Sequence, residues 1–415
     1  MISRNSYALR YGWLLCLAAV GCEGHTDIND SGRDSDGGAR DADPSKDATP
    51  VDGSTEDDAA SPVGAAHGLT VAHRTSCYLT EGDVYCWGSD EFGQFGNGER
   101  DNDAHPTPSK MPYTNARSMR LSRWANYVVT NNRELWVSGL NNHEQLPFET
   151  RTAKQVTGIP AVSSAVGTYR VGCYVAAANG AVRCMGENSN GEVGDGTNGN
   201  AATWSDTGLA SVTAIAGGSD FVCAVANGEV WCWGGNTKGQ LGNGDGGDGK
   251  AANSPQKLSL PEAATDVAAG SQHACARTET GNVYCWGVNW GQQAGASSDG
   301  AACGAHACIR SPKKVNVGNV LEVAASDGAT CARHDDGTVT CWGDSGIGAH
   351  ANELSSVVEI ASGHESNHFC ARSQDSKVHV KCWGTQDGSG QLGRGSVETN
   401  ATEQKKPIDI DLPLD

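Results

Sequence analysis

From Gly68 onward, apolar and polar residues alternate in short runs, each closed by Gly, Asn or Asp. Alternation with a period of two is the mark of a half-buried β-strand, and an Asn-Gly or Asp-Gly pair between two such runs marks a tight hairpin. The segment CAVANGEVWC, Cys223 to Cys232, shows both features. The pattern recurs. Aligned on one glycine, a phrase reading CWG, VSG or CMG ends at Gly88, Gly139, Gly186, Gly234, Gly287, Gly343 and Gly384, at spacings of 51, 47, 48, 53, 56 and 41 residues. Most copies are followed by a second phrase: GQFG from Gly93, GEVG from Gly191, GQLG from Gly239, GQQAG from Gly291 and GQLG from Gly390. The second copy has Glu144-Gln145-Leu146-Pro147 there, and the sixth has lost the phrase.

Short strands recurring seven times at this period predict an all-β, seven-bladed β-propeller, one small antiparallel sheet per repeat. A further strand precedes each hairpin, as in Pro255 to Leu260. The tail Pro407-Ile408-Asp409-Ile410-Asp411-Leu412 matches the strand at Pro312 to Val317 and has no hairpin after it, while the first repeat lacks such a strand ahead of it. The ring is therefore expected to close by the C-terminal strand pairing into the first blade, which removes the open edge. Ser61-Pro62-Val63 is a weaker candidate for that place.

Fourteen of the sixteen cysteines lie in the repeats, and twelve of them pair at matching hairpin positions: Cys77 with Cys86, Cys173 with Cys184, Cys223 with Cys232, Cys275 with Cys285, Cys331 with Cys341, and Cys370 with Cys382. Across a tight turn such partners face each other within bonding reach. Blade 2 lacks both, with Val128 and Val137 taken as the aligned positions. By the chain-entropy relation a loop of this size is worth about 2.7 kcal/mol. Cys303 and Cys308 form a seventh pair, read as a loop disulfide; His306 between them gives too few ligands for a zinc site.

The address follows from the N-terminus. Arg4 and Arg10 precede a short apolar run, Tyr11 to Val20, which is a signal peptide and too short to span a bilayer. Ala19-Val20-Gly21-Cys22 is similar to a bacterial lipobox, making Cys22 the expected lipidation site; ordinary cleavage and release is the alternative. Glu23 follows, not the Asp associated with inner-membrane retention, so the expected location is the bacterial cell envelope, lipid-anchored at the outer membrane, periplasmic or at the surface. Residues 27–62 carry ten Asp and one Glu against three basic residues and have almost no large apolar side chains. They read as a disordered stalk of about 30 to 36 Å root-mean-square reach. Asp34, Asp36, Asp41 and Asp43 alternate like calcium ligands, but the glycine and closing glutamate of an EF-hand are out of register. The domain plan is thus 1–22 leader and lipobox, 23–62 stalk, and 63–415 propeller. Gly at 55 of 415 residues and charged residues at only 19% favour the turn-rich all-β reading. The net charge of −19 removes the electrostatic basis for nucleic-acid binding.

The repeated phrase C-x(n)-G-x-V-x-C-W-G-x(n)-G-Q-L-G-x-G resembles the repeats of the regulator of chromosome condensation family, over about residues 66–415. That resemblance implies a seven-bladed propeller. In nuclear members it also implies nucleotide exchange on a small GTPase and docking on chromatin, which the leader, the paired cysteines and the acidic body argue against here. More distantly, the chain is similar to the secreted β-lactamase-inhibitory protein-II, a likeness of fold and compartment.

No nucleophile elbow, HExxH, Walker loop or dinucleotide fingerprint is present. His273 and His368 occupy equivalent positions where other blades hold Thr75, Val171, Phe221 and Ala329, which favours a packing role. Asp335-Asp336, Glu81 and Asp83 fall in turns, where carboxylates are turn formers. The residues just before the second phrase, Phe92, His143, Asn190, Lys238, Trp290 and Ser389, vary while the glycines beside them stay. Repeat symmetry places them on one rim, a candidate binding surface with Trp290 and Phe92 as anchors; the plainer reading is that the aromatics cover neighbouring loops. The sequence thus reads as a non-catalytic, monomeric envelope protein that binds a protein or glycan ligand through one loop face, without cofactor or metal. The alternatives are an envelope polysaccharide lyase or hydrolase, or a secreted enzyme inhibitor.

Overall fold

The computed structural model describes residues 68–247, 250–295, 302–303, 306–344, 346–374 and 378–413. The leader, Cys22 and the acidic stalk lie outside the described residues. Blade 4 shows how one repeat folds. Its second strand (Phe221–Ala226) and third strand (Glu229–Gly234) are joined by Asn227-Gly228, with φ of 53° and 77°. Two consecutive positive φ values make a type I′ turn, whose twist matches the strands it joins, and Asn-Gly tolerates them best. The inner strand (Val212–Gly217) pairs with the second, and the outer strand (Ala252–Lys257) with the third. Every residue of Phe221–Ala226 is buried, because each sheet is covered on both faces by its neighbours.

Seven such sheets are present, in sequential strand order. Blade 5 adds a two-residue strand, Ala302–Cys303, at its edge. Among the described residues blade 6 has three strands: its third strand (Val339–Gly343) is followed by a 3-10 helix, Gly348–Glu353, and then by blade 7. The six hairpin disulfides join directly opposed residues with Cα atoms 4.0 to 4.1 Å apart. The Cys303–Cys308 bond closes the extra loop of blade 5. In blade 2 the strand register sets Tyr127, not Val128, opposite Val137.

One expectation changes in phase. The outer strand follows its hairpin instead of preceding it, so Pro255 belongs with the Cys223–Cys232 hairpin. The C-terminal strand, Ile408–Asp409, accordingly hydrogen-bonds to the third strand of blade 7 (Val378–Gly384), pairing Cys382 with Ile408. It reaches the first blade through side chains: Ile410 is buried in one cluster with Leu69, Val71, Tyr78 and Trp87. Ring closure therefore does involve the C-terminal segment, by packing into blade 1 while its backbone stays in blade 7.

The two repeated phrases meet across each blade junction. The tryptophan of CWG donates its indole N–H to the backbone carbonyl of the second-phrase Gln in the preceding blade: Trp286 to Gln240 at 2.9 Å and Trp342 to Gln293 at 3.0 Å, with Trp233 to Glu192 at 3.0 Å. Trp87 closes the ring on Gln391 at 2.9 Å, and Trp383 donates to Ile347 at 3.2 Å where blade 6 lacks the phrase. Two junctions lack the tryptophan and find another donor. Ser138 Oγ donates to the Gln94 carbonyl at 2.8 Å. Met185 cannot donate, and the Gln145 carbonyl is met from within its own blade, by the Tyr127 hydroxyl at 3.2 Å. A buried carbonyl left unpaired is costly, and both of these carbonyls keep a donor.

Candidate functional site

Sequential antiparallel order sends the loop between inner and second strands and the loop between third and outer strands to the same end of every blade. This loop face carries the second phrase. There the Gln side chain is structural: its Oε1 accepts the N–H of the residue two positions earlier, as in Phe92 to Gln94 at 2.9 Å, Lys238 to Gln240 at 2.7 Å and Ser389 to Gln391 at 3.0 Å. In blade 5 this bond comes from Gly291 to Gln293, also at 2.9 Å. Gly291 therefore holds the position equivalent to Lys238, and Trp290 stands one residue outside that register.

The six rim residues do not form one continuous surface. Phe92 is only 7% exposed and its ring lies 4.4 Å from that of Trp124, so it covers a neighbouring loop and is not an exposed anchor. His143 joins the same group, 5.9 Å from Trp124 and 5.1 Å from Tyr169 between ring centres, with Nδ1 2.8 Å from Glu187 Oε2. Asn190, Lys238 and Ser389 are half-buried. Trp290 is 68% exposed, the most exposed of the large hydrophobic side chains among the described residues. Asn190 also lines a polar cleft of about 410 Å³ between blades 3 and 4, with Asn243, Asp245, Lys250, Asn253 and Gln256.

Trp124, Tyr169 and Arg123 were not legible as site residues, because the loops that hold them are too short to carry a pattern. Their only signal is variation at equivalent positions in successive blades. Arg123 sits 4.8 Å over the Trp124 ring, 5.5 Å over Tyr169, and 3.0 Å from Glu365 Oε2.

Glu365 belongs to a loop of blade 7 that crosses the axis of the ring. His73 N–H donates to the His364 carbonyl, Asp327 N–H to Ser366 at 3.0 Å, and Glu365 N–H to Ser271 Oγ at 2.8 Å. The His364 imidazole lies beside the backbone of Gly217 in blade 4, and burial holds its pKa down to about 4. Contacts with blades 1, 2, 4, 5 and 6 close the loop-face end of the central channel. Below this plug the channel encloses about 390 Å³ and is lined by the inner strands of all seven blades.

His273 and His368 are buried struts between blades, with Nε2 2.8 Å from Thr330 Oγ1 and 2.6 Å from Ser76 Oγ respectively, as a packing role requires. Among the described residues no group of three or more His, Cys, Asp or Glu side chains could hold a metal ion, and no helix is long and apolar enough to cross a membrane.

A family model described as Regulator of chromosome condensation (RCC1) repeat matches residues 81–121 and 227–277, and a second of the same description matches residues 212–240. Among solved structures, the fold is similar to Prp20p from Saccharomyces cerevisiae, with a TM-score of 0.61 and 19% identity, covering 71% of this chain and 80% of that one. That protein's structure is reported with its binding to Gsp1p and histones. Human WBSCR16 is similar over 83% of this chain and 81% of its own, with a TM-score of 0.54 and 14% identity. At these identities the likeness is one of fold.

Proposed function

Because this chain is a seven-bladed propeller of regulator of chromosome condensation repeats, we propose that it is a non-catalytic recognition scaffold of the cell envelope, lipid-anchored through Cys22 and binding a protein or glycan through its loop face. A protein-interaction role is what the propeller fold suggests. The observation that carries the finer reading is Trp290, a 68% exposed indole on the loop face. A large rigid aromatic at the surface is a typical anchor for a partner. The amide-lined cleft of blades 3 and 4 supplies donors and acceptors of the kind that glycans and peptide backbones engage. Seven disulfides fit export to an oxidising compartment.

The test is capture from detergent-solubilised envelopes by the oxidised full-length protein, beside a Trp290→Ala/Lys250→Ala variant. A partner held by the parent and lost by the variant supports the loop-face reading. Equal capture by both overturns the assignment of the surface.

A further inference from the structure

The central channel repeats one motif in three consecutive blades. An acidic residue of the inner strand faces an arginine of the second strand: Asp266 opposite Arg277, Glu322 opposite Arg333, and Glu359 opposite Arg372. Two rungs are closed, with Arg333 Nε 3.1 Å from Glu322 Oε2 and Arg372 Nε 2.9 Å from Glu359 Oε2. Their carboxylates also accept backbone N–H groups from the next blade, Ile360 at 2.9 Å and Leu69 at 2.8 Å, which stitches blades 6, 7 and 1 together.

The third rung is open. Asp266 is one methylene shorter, and its carboxylate accepts the N–H of Val267 at 2.9 Å. Among the described residues Arg277 closes no ion pair, although its charge acts on the Asp266 carboxyl, and its Nε is buried without a hydrogen-bond partner. Across the ring, in blade 2, Arg120 lines the same channel; among the described residues it donates only to its neighbour's carbonyl, Met119, at 3.0 Å, while Asp266, Glu359 and Glu322 act on its charge from a distance. Four arginines thus meet three carboxylates, in a protein of net charge −19. Guanidinium keeps its charge at any physiological pH, whereas burial first, and then the nearby Glu359, push the Glu322 carboxyl up to about 7. The surplus is positive. With the loop-face end plugged by residues 362–366, the channel is a blind well.

We propose that this well binds a small oxyanion, a carboxylate or a phosphate, between Arg120 and Arg277. Both groups suit the forked N–H pattern of arginine, and a cavity of about 390 Å³ admits a molecule of that class but not a folded partner. The site is independent of the loop-face reading, since it lies on the other side of the plug.

The experiment is calorimetric titration of the full-length oxidised protein with succinate and, separately, inorganic phosphate, each at matched ionic strength. Parallel titrations use Arg277→Met, Arg120→Met and Asp266→Glu. Saturable binding of succinate alone assigns a carboxylate ligand, and of phosphate alone a phosphate; binding of both assigns the shared oxyanion chemistry. Each arginine variant is expected to weaken binding at least about tenfold, the size of one lost charge-assisted pair. Asp266→Glu lengthens the acid so that it can close the third rung, and is expected to weaken binding while leaving the melting temperature at or above that of the parent. That variant keeps the test decisive if an arginine variant fails to fold. Absence of saturable binding by either anion, or undiminished binding in Asp266→Glu and the folded arginine variants, overturns the proposal.

Discussion

Three buried histidines, His273, His364 and His368, are held neutral by the bodies of the blades around them. Burial lowers their pKa values to about 4, 4 and 3, from an ordinary 6.5. The unfolded chain therefore takes up protons that the folded chain refuses. Stability is complete above about pH 6.5 and is lost as pH falls toward 4, at up to about 1.4 kcal/mol per pH unit for each histidine. Glu322 works in the opposite sense: with its folded pKa raised to about 7, it stabilises below its unfolded value of 4.5 and loses that contribution as pH rises through 7. Asp90, its carboxyl raised by burial to about 7, works in the same sense as Glu322, so the imidazole is isolated by comparison: between pH 7 and 5 the urea midpoint of His273→Gln should gain on that of the parent. A difference between the two midpoints that does not change with pH would contradict the burial of the His273 imidazole.

At the scale of the element, the clasp between CWG and the second phrase is what makes a blade a repeat. Trp233→Phe keeps most of the ring but leaves the Glu192 carbonyl without its donor, and should cost about 1–3 kcal/mol in chemical denaturation, without change in the strand signal by circular dichroism. A loss below about 0.5 kcal/mol would show that the carbonyl finds water. The hairpins, their disulfides and the number of blades were legible because strand alternation and turn chemistry are local. What was not legible depended on register or on distance along the chain. The outer strand lies between two hairpins in sequence and could be assigned to either; only pairing decides. Trp290 seemed to precede the phrase because blade 5 doubles its glutamine, and the hydrogen bond from Gly291 shows which copy counts. Tyr127 takes the place expected for Val128 because the hairpin of blade 2 separates its paired positions by ten residues, as in Cys275–Cys285, and not by nine. The aromatic group around Trp124 draws residues from three blades, and no window of sequence contains it.

For the whole molecule, the seam between blades 7 and 1 decides whether the ring holds. Ile410 fills the cluster beside Trp87 and Leu69, so Ile410→Ala should cost about 2–5 kcal/mol and be felt in both terminal blades. Hydrogen exchange would show it as lost protection in Leu69–Ala72 and Val378–Gly384 together, whereas a change confined to blade 7 would mean that the seam is held by other contacts.

The seam has the same chemistry as the junctions between blades 3 and 4, 4 and 5, and 5 and 6: an indole donating to a second-phrase carbonyl. Fold and chain order are therefore separable in this protein. A circularly permuted chain, with residue 413 joined to residue 68 by a linker as long as Leu258–Ala263 between blades 4 and 5 and new ends cut at the exposed Thr157-Gly158, retains every clasp of the parent ring.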